Sequence, residues 1–432
     1  MSPRTFRICL AAITAIGAVW RLGYLFAVKI SDPLLLNDSI YYSIQAGRNS
    51  EGDWFREALS PLPGAEHGPL TALYLTPWSL GAGDNVAWQR FATTLLGIAT
   101  VAVIGLVGRR LAGPRVGLVA AGIAVVYPNL WISDSLVMSE SLALLLVSLA
   151  LLLALDFDRH PGPGRAIALG ALVGLGALTR SEIVVFAVGF AALAWWRTAG
   201  RPRPQRALLA ILVLGATAVT LLPWTIYNVA RFDRTVLLST NDGTTLLGAN
   251  CDSTYYVDIG GWDISCLAPV PTDDTVDASV RSLARRDIAV DYIGDHLGRL
   301  PIVVAARVGR FADVYALRSL VALDTGEEKA AWAVWAGIAM WWVLAVAAVL
   351  GWAALRRPGE GSPDRAAARW WLVVPVAGVL LTTVLFYGAH RIRAPAEPVV
   401  VVLAAAGVVA TWDLVRAVRA GEGERAPSGV GR

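Results

Sequence analysis

The sequence predicts an all-α polytopic membrane protein. Hydrophobic residues make up 56% of the 432-residue chain, and charged residues only 16%, against about 25% in soluble domains. The apolar residues gather in long runs separated by short basic stretches, the pattern of successive membrane helices. Trp78, Trp88, Trp131, Trp224, Trp370, Trp371 and Trp412 fall near run ends, where an interfacial belt places them.

Ten runs are expected to form about ten transmembrane helices: residues 8–30, 90–108, 116–128, 137–155, 166–179, 182–196, 207–226, 330–354, 370–387 and 398–415. The runs 116–128 and 166–179 are short for a full crossing. The first run follows Arg4 and Arg7. It is too long for a signal-peptide core, Arg21 interrupts it, and no small-residue cleavage site follows, so it is read as a retained helix. Residues 1–415 form one membrane domain. The remainder, 416–432, is read as a disordered cytoplasmic tail.

Arginines set the orientation. Arg109, Arg110, Arg115, Arg159, Arg165, Arg197, Arg201, Arg203, Arg206, Arg356, Arg357, Arg365, Arg369, Arg416 and Arg419 fall on one alternating set of connections. The positive-inside rule makes that set cytoplasmic, with both termini inside a plasma membrane. Two long excursions, about 31–89 and 227–329, then lie outside. Segments 38–48, 69–80, 279–297 and 302–322 within them are amphipathic, and surface-lying helices are expected there. Cys251 and Cys266 share the second excursion, and on the oxidising side they are read as a disulfide.

Charge is scarce, so its placement is informative. Asp38, in Asn37-Asp38-Ser39-Ile40-Tyr41-Tyr42, stands at the outer boundary. It suits a helix cap, as Asn37 also does, or a general base aimed at an acceptor hydroxyl. Asp134, Glu140, Arg180 and Glu182 occupy other outer span ends, either as structural ion pairs or as the lining of an anion and sugar site. The outer turn His390-Arg391-Ile392-Arg393 runs against the positive-inside trend. An arginine fork for phosphate explains it, with snorkelling to headgroups as the plainer account. The chain has no phosphate-binding glycine loop and no dinucleotide fingerprint. His67, His160, His296 and His390 are scattered and give no metal spacing.

In this order the motifs resemble the GT-C superfamily of integral membrane glycosyltransferases, particularly its protein-mannosyltransferase and aminoarabinose-transferase-like branch. The resemblance rests on Asp38, Tyr41, Tyr42 and Ala46; Gly68-Pro69-Leu70 before Tyr74; and Ser139-Glu140. It continues through Gly174, Gly176, Thr179 and Arg180; Pro223-Trp224; the segments 238–243 and 248–250; and Arg391-Ile392-Arg393-Ala394-Pro395. Two departures stand out. Ser39 follows Asp38 where relatives often carry a second acid, and Tyr227 stands where relatives commonly have arginine, with Arg231 as a nearby substitute.

The resemblance implies a GT-C fold and a polyprenyl-phosphate-linked sugar donor. Arg391, Arg393 and Arg180 would hold the donor phosphate, and Asp38 would be the base of an inverting transfer. Tyr41, Tyr42, Glu140, Glu182, His390 and Asn241 would contact substrate. The acceptor would be a glycan, protein or lipid hydroxyl on the extracytoplasmic face. No cofactor is expected; a divalent metal is left open without a ligand set. Two other readings are a transporter or flippase of lipid-linked sugars and a non-catalytic scaffold. A transporter would place its charges near mid-membrane, whereas most here sit at outer span ends.

Overall fold

The computed structural model describes residues 1–35, 38–57, 60–81, 85–273, 275–356 and 365–424, of which 420–424 are described as helical backbone only. Among the described residues the chain is helical, with one isolated bridge between Arg56 and Pro63 and no strand. Seven helices are long and apolar enough to cross a membrane: Pro3–Lys29, Asn85–Ala112, Glu140–Arg159, Arg203–Val229, Ala331–Ala354, Arg365–Leu385 and His390–Arg419. The other three predicted spans form shorter elements. These are Pro114–Val126, Pro163–Thr179, and the 3-10 turn Ser181–Val185 leading into Phe186–Arg197.

Proline and glycine punctuate these elements. Pro3, Pro114 and Pro163 sit at helix starts, where a missing N–H costs nothing and a fixed φ favours helix. Only Gly113, at φ +96°, separates Asn85–Ala112 from Pro114–Val126, which folds the two into a tight hairpin. Where helices face one another inside lipid there is no water to expel, so close packing of small residues holds them. A Cβ at Gly351 would lie 1.9 Å from the Leu403 carbonyl, and one at Gly407 would lie 2.0 Å from that of Ala347. These two glycines let Ala331–Ala354 seat against Glu397–Glu424.

One buried pair anchors the first helix. Arg21 Nε meets Asp134 Oδ2 at 2.7 Å, and Ser141 Oγ donates to Asp134 Oδ1 at 2.7 Å. Asp134 thereby ties the turn before Glu140–Arg159 to the chain's start.

The first long excursion contains Asp38–Ser50, Pro69–Leu75 and the 3-10 turn Thr76–Ser79. The second contains Asp242–Gly248, Ala278–Asp295, Leu300–Phe311 and Leu317–Gly326, and Cys251 and Cys266 form a disulfide with Cα atoms 5.9 Å apart. The helix expected over 302–322 is split. Asp313 and Ala316 take left-handed conformations at φ +55° and +54°. The break turns the Asp313 carboxylate inward to His390 and Arg393. The final helix, Glu397–Glu424, continues past the boundary expected at 415; Asn37 and residues 425–432 lie outside the described residues.

Replacing Gly351 with valine forces apart two helices whose backbones touch. The expected cost is about 1–3 kcal/mol or more, read as a lower melting temperature of the detergent-solubilised protein beside an unchanged Gly164→Val control, whose Cβ meets nothing.

Candidate active site

Asp38 opens the helix Asp38–Ser50, and both of its carboxylate oxygens face cations. Arg391 Nη2 bonds Oδ2, and His67 Nε2 lies 3.4 Å from Oδ1. From Arg391 a chain of alternating charge extends in two directions. On one side its Nε lies 3.7 Å from Glu140 Oε1, which also accepts from Arg180 Nη1 at 3.0 Å. Arg180 Nε in turn reaches Glu182 at 2.7 Å. On the other side Arg391 Nη1 meets Glu327 at 2.9 Å, and Glu327 meets Lys329 at 3.0 Å. Lys329 then bonds Asp324 at 2.7 Å, and Asp324 accepts from His390 Nδ1. Asp313 lies 2.7 Å from His390 Nε2 and 2.9 Å from Arg393. Both His390 nitrogens thus face carboxylates, a geometry that the imidazolium satisfies.

Local folding explains how distant segments meet here. Gly68 lets the first excursion touch the end of Pro163–Thr179, since a Cβ there would lie 2.3 Å from the Leu178 carbonyl. Thr240 N donates to the Ala65 carbonyl at 2.8 Å, and Ser239 Oγ donates to that of Glu66, so the second excursion clamps the first. Leu317–Gly326 ends in Glu327-Glu328-Lys329, with Glu328 left-handed at φ +68°. That turn sends Glu327 to Arg391 and Glu328 to Arg90, the latter at 2.9 Å. Ser39 Oγ also donates to Glu328.

The electrostatics follow from these partners. Burial alone would raise the Asp38 carboxyl, but Arg391 and His67 outweigh it and hold the group well below the usual carboxylate range. Burial depresses His67, yet Asp38 more than compensates and raises it. Lys329 is raised by Asp324 and Glu327 against its own burial. Asp324 is lowered, because Lys329 and His390 overcome desolvation.

The network joins Asp38, Glu140, Arg180, Glu182, His390 and Arg391 of the residues singled out in the sequence. Tyr41 and Tyr42 are buried around His67, with ring centroids 5.0 and 5.1 Å from its ring; their rings are used in packing. Asn241 stands apart, its backbone N–H bonded to Ser239 Oγ. Arg393 corrects the expectation of a phosphate contact. It is 0% exposed, bonded to Asp313, Glu397 and the Phe311 carbonyl, and lies 4.0 Å from the Trp341 ring centroid. Arg231, offered as a stand-in cation, spends its donors on the Phe55 and Gly64 carbonyls and on Asn228 Oδ1.

Sequence reading passed over Asp313, Asp324, Glu327, Glu328 and Lys329. The available signal was the run Asp324-Thr325-Gly326-Glu327-Glu328-Lys329, flush against an apolar span and carrying one of only two lysines in the chain.

Below the network an apolar groove runs between Ser181–Arg197 and Val373–Leu385, lined by Val185, Val188, Leu193, Trp370, Val374 and Leu381. Its Val185 end lies beside Arg180 and Glu182 in the chain. Among the described residues no three His, Cys, Asp or Glu side chains are grouped to hold a metal ion. The acids of the network are directed to guanidinium, ammonium or imidazole groups instead, so no step is routed through a metal.

Residues 66–231 match the family model described as dolichyl-phosphate-mannose-protein mannosyltransferase. No curated protein sequence matches the chain significantly. Among solved structures, the oligosaccharyltransferase AglB of Archaeoglobus fulgidus, in complex with an inhibitory peptide and a dolichol-phosphate, aligns over 98% of this chain with a TM-score of 0.61 and 14% identity. The Archaeoglobus fulgidus oligosaccharyltransferase in complex with Zn and sulfate aligns over 94%, with a TM-score of 0.58 and 14% identity. A third, tethered to an acceptor peptide containing the NVT sequon, aligns over 97% with a TM-score of 0.59 and 13% identity. The chain spans about half the length of these proteins, 52%, 49% and 51% respectively.

Lys329 bridges two buried acids, and replacing it with methionine leaves both uncompensated. Breaking a buried pair in this way costs about 3–5 kcal/mol. The expected result is a marked drop in melting temperature, with partial recovery in the Lys329→Met/Asp324→Asn double variant.

Proposed function

Starting from a chain with the GT-C fold, we propose that it transfers a sugar from a polyprenyl-phosphate donor to a hydroxyl acceptor. The observation that carries this reading is the pair of buried guanidiniums, Arg391 and Arg180, sharing Glu140 beside the apolar groove. A lipid phosphate needs that combination, an apolar channel for its tail and cations for its head. Arg391 Nε is buried without a hydrogen-bond partner in the described structure, a donor left over from the ion pairs. The match to a mannosyltransferase family and the dolichol-phosphate and acceptor peptides in the AglB structures support the same choice.

The chemistry follows from the leaving group. A phosphate departs as a stable anion, so the site must stabilise growing negative charge rather than supply a proton. Arg391 and Arg180 are the groups for that role, exchanging part of their carboxylate contacts for phosphate oxygens. The acceptor oxygen attacks C1 as the C1–O bond to phosphate breaks, and one displacement inverts the anomeric centre. The attacking hydroxyl loses its proton to a carboxylate of this site, and Asp38 is the one that the sequence names. The arginine distribution assigns this end of the bundle to the extracytoplasmic side of a plasma membrane, with both termini inside. The acceptor is a glycan, protein or lipid hydroxyl.

Purified protein in liposomes, supplied with radiolabelled mannosyl, glucosyl and arabinosyl polyprenyl phosphates and a cell-envelope extract, tests the reading. The expected outcome is a labelled glycoside whose anomeric configuration, read by NMR, is opposite to the donor's. Asp38→Asn should lower the rate by about 100-fold or more. Labelled lipid that crosses the bilayer without forming a glycoside would favour the transporter instead.

A further inference from the structure

Glu66 is the acid of the site that the ion-pair network leaves free. It precedes His67, which contacts Asp38, and its backbone is fixed on several sides. The Ser239 hydroxyl bonds its carbonyl, Thr240 N–H bonds Ala65 O at 2.8 Å, and Arg231 Nη2 bonds Gly64 O at 2.7 Å. Gly68 is wedged against Leu178. The carboxylate itself takes part in no hydrogen bond or ion pair in the described structure, and the residue is open to solvent. The groups that face it are His67, Asp38, Glu57 and Arg285, together with the phenol of Tyr41. Glu57 is engaged by Arg281, and Arg285 by the Val270 carbonyl, Thr244 and Thr272. Asp38 has both oxygens on cations.

We propose that Glu66, rather than Asp38, accepts the proton of the attacking hydroxyl, and that Asp38 is a positioning residue holding Arg391 and His67. This rests on the glycosyl-transfer reading. The acceptor O–H proton passes to a Glu66 carboxylate oxygen while the hydroxyl oxygen bonds C1. The C1–O bond to phosphate breaks, and its electron pair leaves on polyprenyl phosphate. Crowding by protein, with Asp38 and Glu57 close by, lifts the Glu66 carboxyl above the ordinary range despite the opposing pull of His67. A base is more effective for that rise, and a carboxylate pinned by arginine is less so.

The test uses full-length protein in liposomes with the same donors, comparing wild type with Glu66→Gln, Glu66→Ala, Glu66→Asp and Asp38→Asn. Glu66→Gln should lower kcat by about 100-fold with donor KM changed less than about 2-fold. The wild-type rate should rise with pH through an acidic limb that Glu66→Gln lacks, because the base must be ionised. Formate should restore part of the Glu66→Ala rate, as a merely structural role would not allow. Asp38→Asn should keep the acidic limb while raising donor KM. A Glu66→Gln rate within about 3-fold of wild type, or a limb lost in Asp38→Asn but kept in Glu66→Gln, overturns the proposal. Wild type inactive with every donor overturns the transfer reading beneath it.

Discussion

Arg391 is the constraint on which the rest of the site depends. Its guanidinium touches Asp38 from the first excursion, Glu327 from the second, and approaches Glu140 at the head of a membrane helix. None of these acids could be buried alone, because an ionised carboxylate in a low-dielectric interior costs several kcal/mol before relaxation. The arginine offsets that cost only if all three segments arrive in register. The ion network therefore acts less as a source of net stability than as a geometric condition that one arrangement of the loops satisfies.

That condition also divides labour among the acids. Asp38, Glu140 and Glu327 are committed to holding cations, and their basicity falls with that commitment. Glu66 sits beside the same cluster without a cation of its own. Structural and reactive carboxylates thus occur within one site, distinguished by what each side chain touches rather than by residue type.

Much of the architecture was legible in the sequence because apolar runs, prolines at helix starts and glycine punctuation are local signals. Asp38-Ser39-Ile40-Tyr41-Tyr42 and Thr179-Arg180-Ser181-Glu182 also stood out, since charge is conspicuous amid hydrocarbon. The Asp324–Lys329 segment did not, because its role is defined by partners far along the chain: Glu327 meets Arg391, and Glu328 meets Arg90. Arg393 misled for the converse reason. It shares a turn with Arg391, but one helical step rotates it inward to Asp313 and Glu397. The left-handed residues Asp313 and Ala316, which split the expected 302–322 helix, had no glycine to announce them.

The position of Arg391 near the end of the chain has a consequence for biogenesis. Membrane helices are released in order of synthesis, and the carboxylates of Asp38, Glu140 and Glu327 all precede their shared cation. Until the final hairpin Val373–Leu385 and His390–Arg419 inserts, those acids must stay hydrated at the membrane edge, and the two excursions cannot close over them. Completion of the site is thus tied to completion of translation. A ribosome-stalled or truncated product would display a patch of uncompensated acid, a chemical mark by which quality-control proteases could tell it from the finished protein.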